Sequence, residues 1–119
     1  MKIIFNTKHL IEKIKNIAPT AEAKQTLMIL GNIIIKTENN RAFFTASDLE
    51  IQVSSFIDCE SESDCEFSLP TRKLLEILSA LSDYESVTFS VSDSKVDITA
   101  GKSKISLPNL PTIDFPYMD

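Results

Sequence analysis

The feature that most constrains this chain is a pattern that runs through once and then begins again. Residues 2–6 read as a short strand, and Asn6-Thr7 offers an N-cap to a helix carrying Leu10, Ile11, Ile14, Ile17 and Ala18 on one face. Pro19 is expected to end that helix. A polar loop over residues 20–26 leads to three β-rich runs, residues 31–38, 41–46 and 49–57. Asn39-Asn40 joins the first two as a hairpin, because Asn tolerates the left-handed backbone of a tight turn. The order then restarts. Glu66-Phe67-Ser68-Leu69 alternates as a strand, and Pro70 opens a second helix bearing Leu74, Leu75, Ile77, Leu78 and Leu81. Three more strands follow over residues 86–92, 95–100 and 103–107, with Asp93-Ser94 as the first turn.

The residues support an internal duplication as well as the pattern does. Thr7-Lys8-His9-Leu10-Ile11-Glu12 matches Thr71-Arg72-Lys73-Leu74-Leu75-Glu76 at the helix starts. Thr45-Ala46-Ser47-Asp48-Leu49-Glu50-Ile51 matches Thr99-Ala100-Gly101-Lys102-Ser103-Lys104-Ile105 at the last strand pair. The expected fold class is therefore α+β: a duplicated β-α-β-β-β unit, with two helices packed side by side under two antiparallel sheets. At 119 residues the chain has the length of one domain, so residues 1–119 are read as a single unit.

Burying the apolar stripes of both helices turns their other faces outward on the same side of the domain. Lys8, His9, Glu12, Lys15 and Asn16 would share that surface with Arg72, Lys73, Glu76 and Ser79. Both helices carry more Lys and Arg than Asp and Glu, although the formal net charge is -5. That balance argues against a protein that grips nucleic acid over its whole surface, and leaves a local or loose contact. Composition alone reads the same residues as the solvated faces of surface helices.

Chemistry is harder to find. Cys59 and Cys65 lie in an acidic stretch that disfavours their thiolates, and the one histidine, His9, is remote from both. Asp48 and Glu50 share a strand face, which a solvated edge explains as well as a metal pair does. Gly31 stands alone and makes no phosphate cradle. The reading is a non-catalytic protein, with no cofactor and no metal site. No apolar run reaches the length of a membrane span and the start is not that of a signal peptide, so a cytoplasmic location and no membrane partner are expected.

Five segments carry a resemblance: Thr26-Leu27-Met28-Ile29-Leu30-Gly31-Asn32; Thr45 to Ile51; Leu69-Pro70-Thr71-Arg72-Lys73-Leu74-Leu75-Glu76-Ile77; Gly101-Lys102-Ser103-Lys104; and Leu110-Pro111-Thr112-Ile113-Asp114-Phe115-Pro116. In this order and spacing the chain resembles, over essentially its whole length, the N-terminal domain of the bacterial DNA polymerase III beta subunit, the sliding clamp. The family commonly has Pro in place of Met28 and Arg in place of Lys24, Lys102 and Lys104, so charge is kept while the guanidinium fork is not. The resemblance implies the DNA clamp fold and a subunit of three such domains. Two subunits would close head to tail around duplex DNA and tether the replicative polymerase.

From the resemblance, Lys24, Arg72 and Lys73, with Lys8 and Lys15 behind them, are expected to face DNA. They would attract phosphate weakly and without sequence preference, so the isolated domain is expected to bind duplex only weakly. The run of residues 103–107 is expected to be an edge that pairs with a second clamp subunit. Ile105 and Leu107 would be its apolar anchors, and Lys73, Lys95, Lys102 and Lys104 its charged rim. Polymerase and clamp loader are expected to bind through domains absent from this chain. The rival reading is a standalone protein-interaction module whose basic helical face docks an acidic partner.

Overall fold

A computed structural model describes residues 2–21, 32–47 and 52–109. Lys24, Asp48 and Glu50 lie outside them. The first unit runs β1 (Lys2–Asn6), α1 (Thr7–Ala21), β2 (Asn32–Glu38), β3 (Arg41–Ser47), β4 (Gln52–Asp58) and a two-residue strand β5 (Glu60–Ser61). The second runs β6 (Cys65–Pro70), α2 (Thr71–Ala80), β7 (Ser86–Val91), β8 (Lys95–Ala100) and β9 (Ser103–Pro108).

Local chemistry explains most of these boundaries. The Asn6 side-chain oxygen accepts the His9 backbone N–H at 3.0 Å, capping α1 in the expected way. Asn39 and Asn40 both adopt positive φ, 52° and 60°, as a two-residue hairpin turn requires. Two expectations need correction. Helix α1 passes through Pro19 to Ala21, because a proline in the last turn removes only one donor from a helix already about to stop. Pro70 is not the first helical residue; it pairs with Asn32 at the end of β6, with φ -62° and ψ 121°, and α2 begins at Thr71.

The two units do not each form a sheet of their own. One sheet has the order β5-β1-β7-β8-β9 and the other β4-β3-β2-β6, so the first strand of each unit completes the sheet of the other. All pairings are antiparallel, and the duplication is kept in register. Phe5 lies opposite Val87 and Ile3 opposite Phe89, while their counterparts Leu69 and Phe67 lie opposite Ile33 and Ile35. Neither unit can bury its apolar face without the other, so the exchange makes one core rather than two.

The last strand of each unit is where the expected match fails. Ala100 lies opposite Ser103, but Ala46 lies opposite Val53. The counterpart of Ser103 is therefore Val53 and not Leu49, because more residues separate the paired Ser47 and Gln52 than the paired Ala100 and Ser103.

The core lies between sheets and helices and crosses the seam between units. Phe5 packs edge-on to Phe89 at 5.0 Å between ring centroids and tilts against Phe44 at 6.2 Å, and Phe67 reaches Phe89 at 6.3 Å. Leu10, Ile14 and Ile17 of α1 and Leu74 and Leu78 of α2 are fully or almost fully buried against this centre. The two helices pack on each other, and α1 also lies against β3 and β4.

Candidate nucleic-acid interface and assembly edge

The packing of α1 against α2 brings their outward residues onto one face. Lys8, His9, Glu12, Lys15 and Asn16 are exposed on α1, and Arg72, Lys73, Glu76 and Ser79 on α2. The sequence named these nine residues from helical periodicity alone, and each is exposed. Lys13, on the flank of α1, is half-buried in a groove it shares with His9, Glu12, Asn16 and Ile57. Four exposed cations on this shared face, Lys8, Lys15, Arg72 and Lys73, diluted by Glu12 and Glu76, make a mild positive field rather than a tight phosphate clamp.

A concavity of about 470 Å³ lies elsewhere, among Ile4, Phe5, Asn6, Asp58, Cys59, Glu60, Glu85 and Ser86. Its thiol is a poor nucleophile: burial, then the charge of Asp58 and the proximity of Cys65, push Cys59 up to about 11. Cys65 instead makes a 3.4 Å contact to the Thr37 hydroxyl, and its N–H donates to the same oxygen at 3.0 Å. Both cysteines are free thiols. Among the described residues no three His, Cys, Asp or Glu side chains are grouped to hold a metal ion, and no helix is long and apolar enough to cross a membrane.

The second site is the end of the five-stranded sheet. Strand β9 pairs with β8 on one side and is the last strand of its sheet. Its burial alternates as expected: Ser103, Ile105 and Leu107 turn inward, and Lys104 and Ser106 outward. The two expected apolar anchors are not alike, however. Leu107 is only 5% exposed and belongs to the domain's own core, so it is not an uncovered anchor. Ile105 lies opposite the buried Ile98 yet is itself half-exposed and stands outside the core cluster. The difference is positional: Leu107 lies opposite the buried Val96 at the end of β9 that approaches β6 of the other sheet, whereas Ile105 approaches the hairpin of Gly101 and Lys102.

On the outward face, the structure gathers residues that periodicity did not connect. Asp97 lies opposite Ser106 and diagonal to Lys104, and shares its strand face with Lys95 two residues away. The Ser106 hydroxyl donates to Asp97 Oδ1, and the ammonium groups of Lys95 and Lys104 lie 3.9 Å and 3.7 Å from Oδ2. The serine hydrogen bond, followed by the two lysine charges, holds the carboxyl below the ordinary aspartate range despite partial burial. Asp97 was missed because only the β8–β9 register brings Ser106 and Lys104 to it; the sequence signal was Lys95 two residues before it. Lys102 is exposed in the hairpin turn, and Lys73 belongs to the helical face.

Comparison with known proteins places the fold in a family. Residues 1–119 match the family described as the DNA polymerase III beta subunit, N-terminal domain. The chain is 33% identical to a beta sliding clamp of Vibrio harveyi, covering all of this chain and 83% of that sequence. It is 32% identical to the beta sliding clamp of Vibrio cholerae, again over the whole chain but over 33% of that protein. The solved structure of Caulobacter crescentus pol III beta superposes with a TM-score of 0.93 at 30% identity, covering 100% of this chain and 32% of that one. The chain thus spans about a third of the length of those two longer proteins. It belongs to the family of the DNA polymerase III beta subunit, the beta sliding clamps, and corresponds to their N-terminal domain.

Proposed function

We propose that this domain forms one segment of a ring that encircles duplex DNA and tethers the replicative polymerase, without catalysing any reaction itself. The observation that most supports this is the concentration of Lys8, Lys15, Arg72 and Lys73 on one helical face of a chain whose net charge is -5. A ring that slides needs attraction that does not depend on sequence, and a few exposed ammonium and guanidinium groups across a wet gap supply that. Lys24 joins the DNA-facing set through the family resemblance.

Strand β9 is the proposed junction with a second subunit, head to tail. Its outer edge, unpaired among the described residues, offers backbone donors and acceptors, Ile105 an apolar contact, and Lys95, Lys102 and Lys104 a cationic rim for a partner rich in carboxylates, with Lys73 of the helical face joining that rim through the family resemblance alone. Polymerase and clamp loader would bind domains beyond this chain, and the protein would act in the cytoplasm.

Retention on circular DNA by a full-length subunit carrying this domain tests the reading. Replacing Lys24 and Arg72 with Ala should shorten the lifetime on nicked circles to a similar degree for different sequences, and linearising the DNA should release the protein. Unchanged retention would mean that DNA passes another face. The isolated domain should hardly bind duplex at physiological salt, because its few cations give only a small counterion-release contribution. Tight binding by anisotropy would overturn the loose-lining mechanism.

A further inference from the structure

We infer that Asp97 is an internal occupant of the cationic β9 edge, competing for Lys95 and Lys104 with the carboxylates of the partner that pairs there and thereby weakening the junction. The inference rests on reading β9 as the subunit junction. Its own support is the geometry around the carboxylate. Both oxygens are engaged, Oδ1 by Ser106 and Oδ2 by the two ammonium groups. The Asp97 side chain is only 15% exposed, while those of Lys95 and Lys104 remain 55% and 62% exposed. The acid therefore lies beneath its lysines, and the lysines stay open to a second anion.

One carboxylate cannot neutralise two ammonium groups, so the cluster keeps a net positive charge that a partner carboxylate can use. At 3.7 Å and 3.9 Å both contacts are long for ion pairs, and the lysines, more than half exposed, can turn from Asp97 toward a second anion. A partner carboxylate seated on the same ammonium groups would lie close enough to Asp97 to be repelled through a partly desolvated gap. Asp97 thus offsets part of the attraction the lysines provide. A ring that must open for loading needs a junction that is not maximally tight, and a fixed internal anion limits its strength without removing its charge complementarity.

The experiment measures the dimer dissociation constant of a full-length subunit carrying this domain, by sedimentation across a range of salt. Asp97→Asn keeps the side chain's shape and a hydrogen-bonding oxygen for Ser106 while removing the charge. It should tighten the dimer about three- to tenfold at low salt, and the gain should shrink as salt screens the edge. Asp97→Thr, which also suits a strand, repeats the test if Asn perturbs β8. Lys102→Glu, outside the Asp97 cluster, tests the junction itself and should weaken the dimer. If Lys102→Glu weakens the dimer while both Asp97 variants leave it unchanged or loosen it, the competition is wrong and the junction stands. If Lys102→Glu has no effect, the junction reading fails, and the Asp97 inference with it.

Discussion

Gly101 lies against the ring of Tyr84 so closely that a β-carbon built on it would stand 2.5 Å from Tyr84 Cε1 and 3.0 Å from Cζ. The glycine also has φ +58°, a backbone conformation that disfavours a side chain. This contact ties the loop after α2 to the β8–β9 hairpin, next to the edge proposed as the junction. Gly101→Ala should therefore destabilise the domain by roughly 2 kcal/mol, part from backbone strain and part from displacing the ring. Adding Tyr84→Ala should recover the clash component alone, so that in urea melts the double variant loses less than the sum of the two single changes. Strict additivity would show that the ring moves aside freely.

The duplication leaves a matched pair of buried polar atoms. The hydroxyls of Thr7 and Thr71, at the first helical residue of each unit, are buried and have no hydrogen-bond partner among the described residues. A lone buried hydroxyl carries its desolvation cost uncompensated, and Val has nearly the same shape. Thr7→Val and Thr71→Val should each raise stability by about 1 kcal/mol, read as a shift of the urea midpoint at constant slope. A loss at either position would reveal a partner that holds the hydroxyl.

For Cys59 the prediction concerns pH. With its thiol pushed from the ordinary 9.0 up to about 11, the folded protein holds it neutral where an unfolded chain would begin to ionise. Stability is thus fully present below pH 9.0 and is lost as pH rises toward about 11. Near pH 8 the folded thiol should react with iodoacetamide roughly a hundredfold more slowly than a model thiol, because its thiolate fraction is smaller by about that factor. Fast labelling in native buffer would contradict the burial that raises it.

Asp97 predicts the opposite limb. Its carboxyl titrates below the ordinary 3.8, so it contributes stability at neutral pH that is lost as pH falls through the folded value. Asp97→Asn should make the domain slightly less stable near neutrality and bring the two proteins together in acid. Parallel acid limbs for variant and parent would show that the Ser106 and lysine contacts do not persist in solution.

The duplication, both helices and all eight of the longer strands were legible because each rests on local periodicity: Leu74 and Leu78 one turn apart, Val96 and Ile98 two residues apart. The exchange of β1 and β6 between units was not, since nothing in Phe5 says that it will lie opposite Val87. Strand β5 was missed for a related reason. Glu60 and Ser61 are held opposite Ile4 and Ile3 by backbone pairing at an edge, with no apolar pattern to announce it. At the candidate site, outward direction was readable from alternation but depth was not. Lys104 and Ile105 point opposite ways as the sequence said, whereas the burial of Leu107 depends on tertiary packing, its end of β9 lying by β6 of the other sheet.

That difference between Ile105 and Leu107 decides how the junction should be probed. Replacing both with a polar residue would confound two effects, because Leu107 is part of the core at 5% exposure. Leu107→Ala alone should cost the isolated domain about 2–4 kcal/mol, the range for a buried leucine that leaves a cavity. Any loss of dimer in that variant could reflect unfolding. Ile105 is half-buried and outside the core cluster, so Ile105→Ser should cost the isolated domain less than Leu107→Ala does, roughly 1–2 kcal/mol, and leave it folded. In a full-length subunit the same substitution should nonetheless raise the dimer dissociation constant by at least about tenfold, since an apolar anchor lost at the centre of an interface is felt in dissociation. The pair of measurements separates the roles: a folded domain with a weakened dimer makes Ile105 a contact residue of the junction. A dimer as tight as the parent at low protein concentration would place the junction on another edge of the domain.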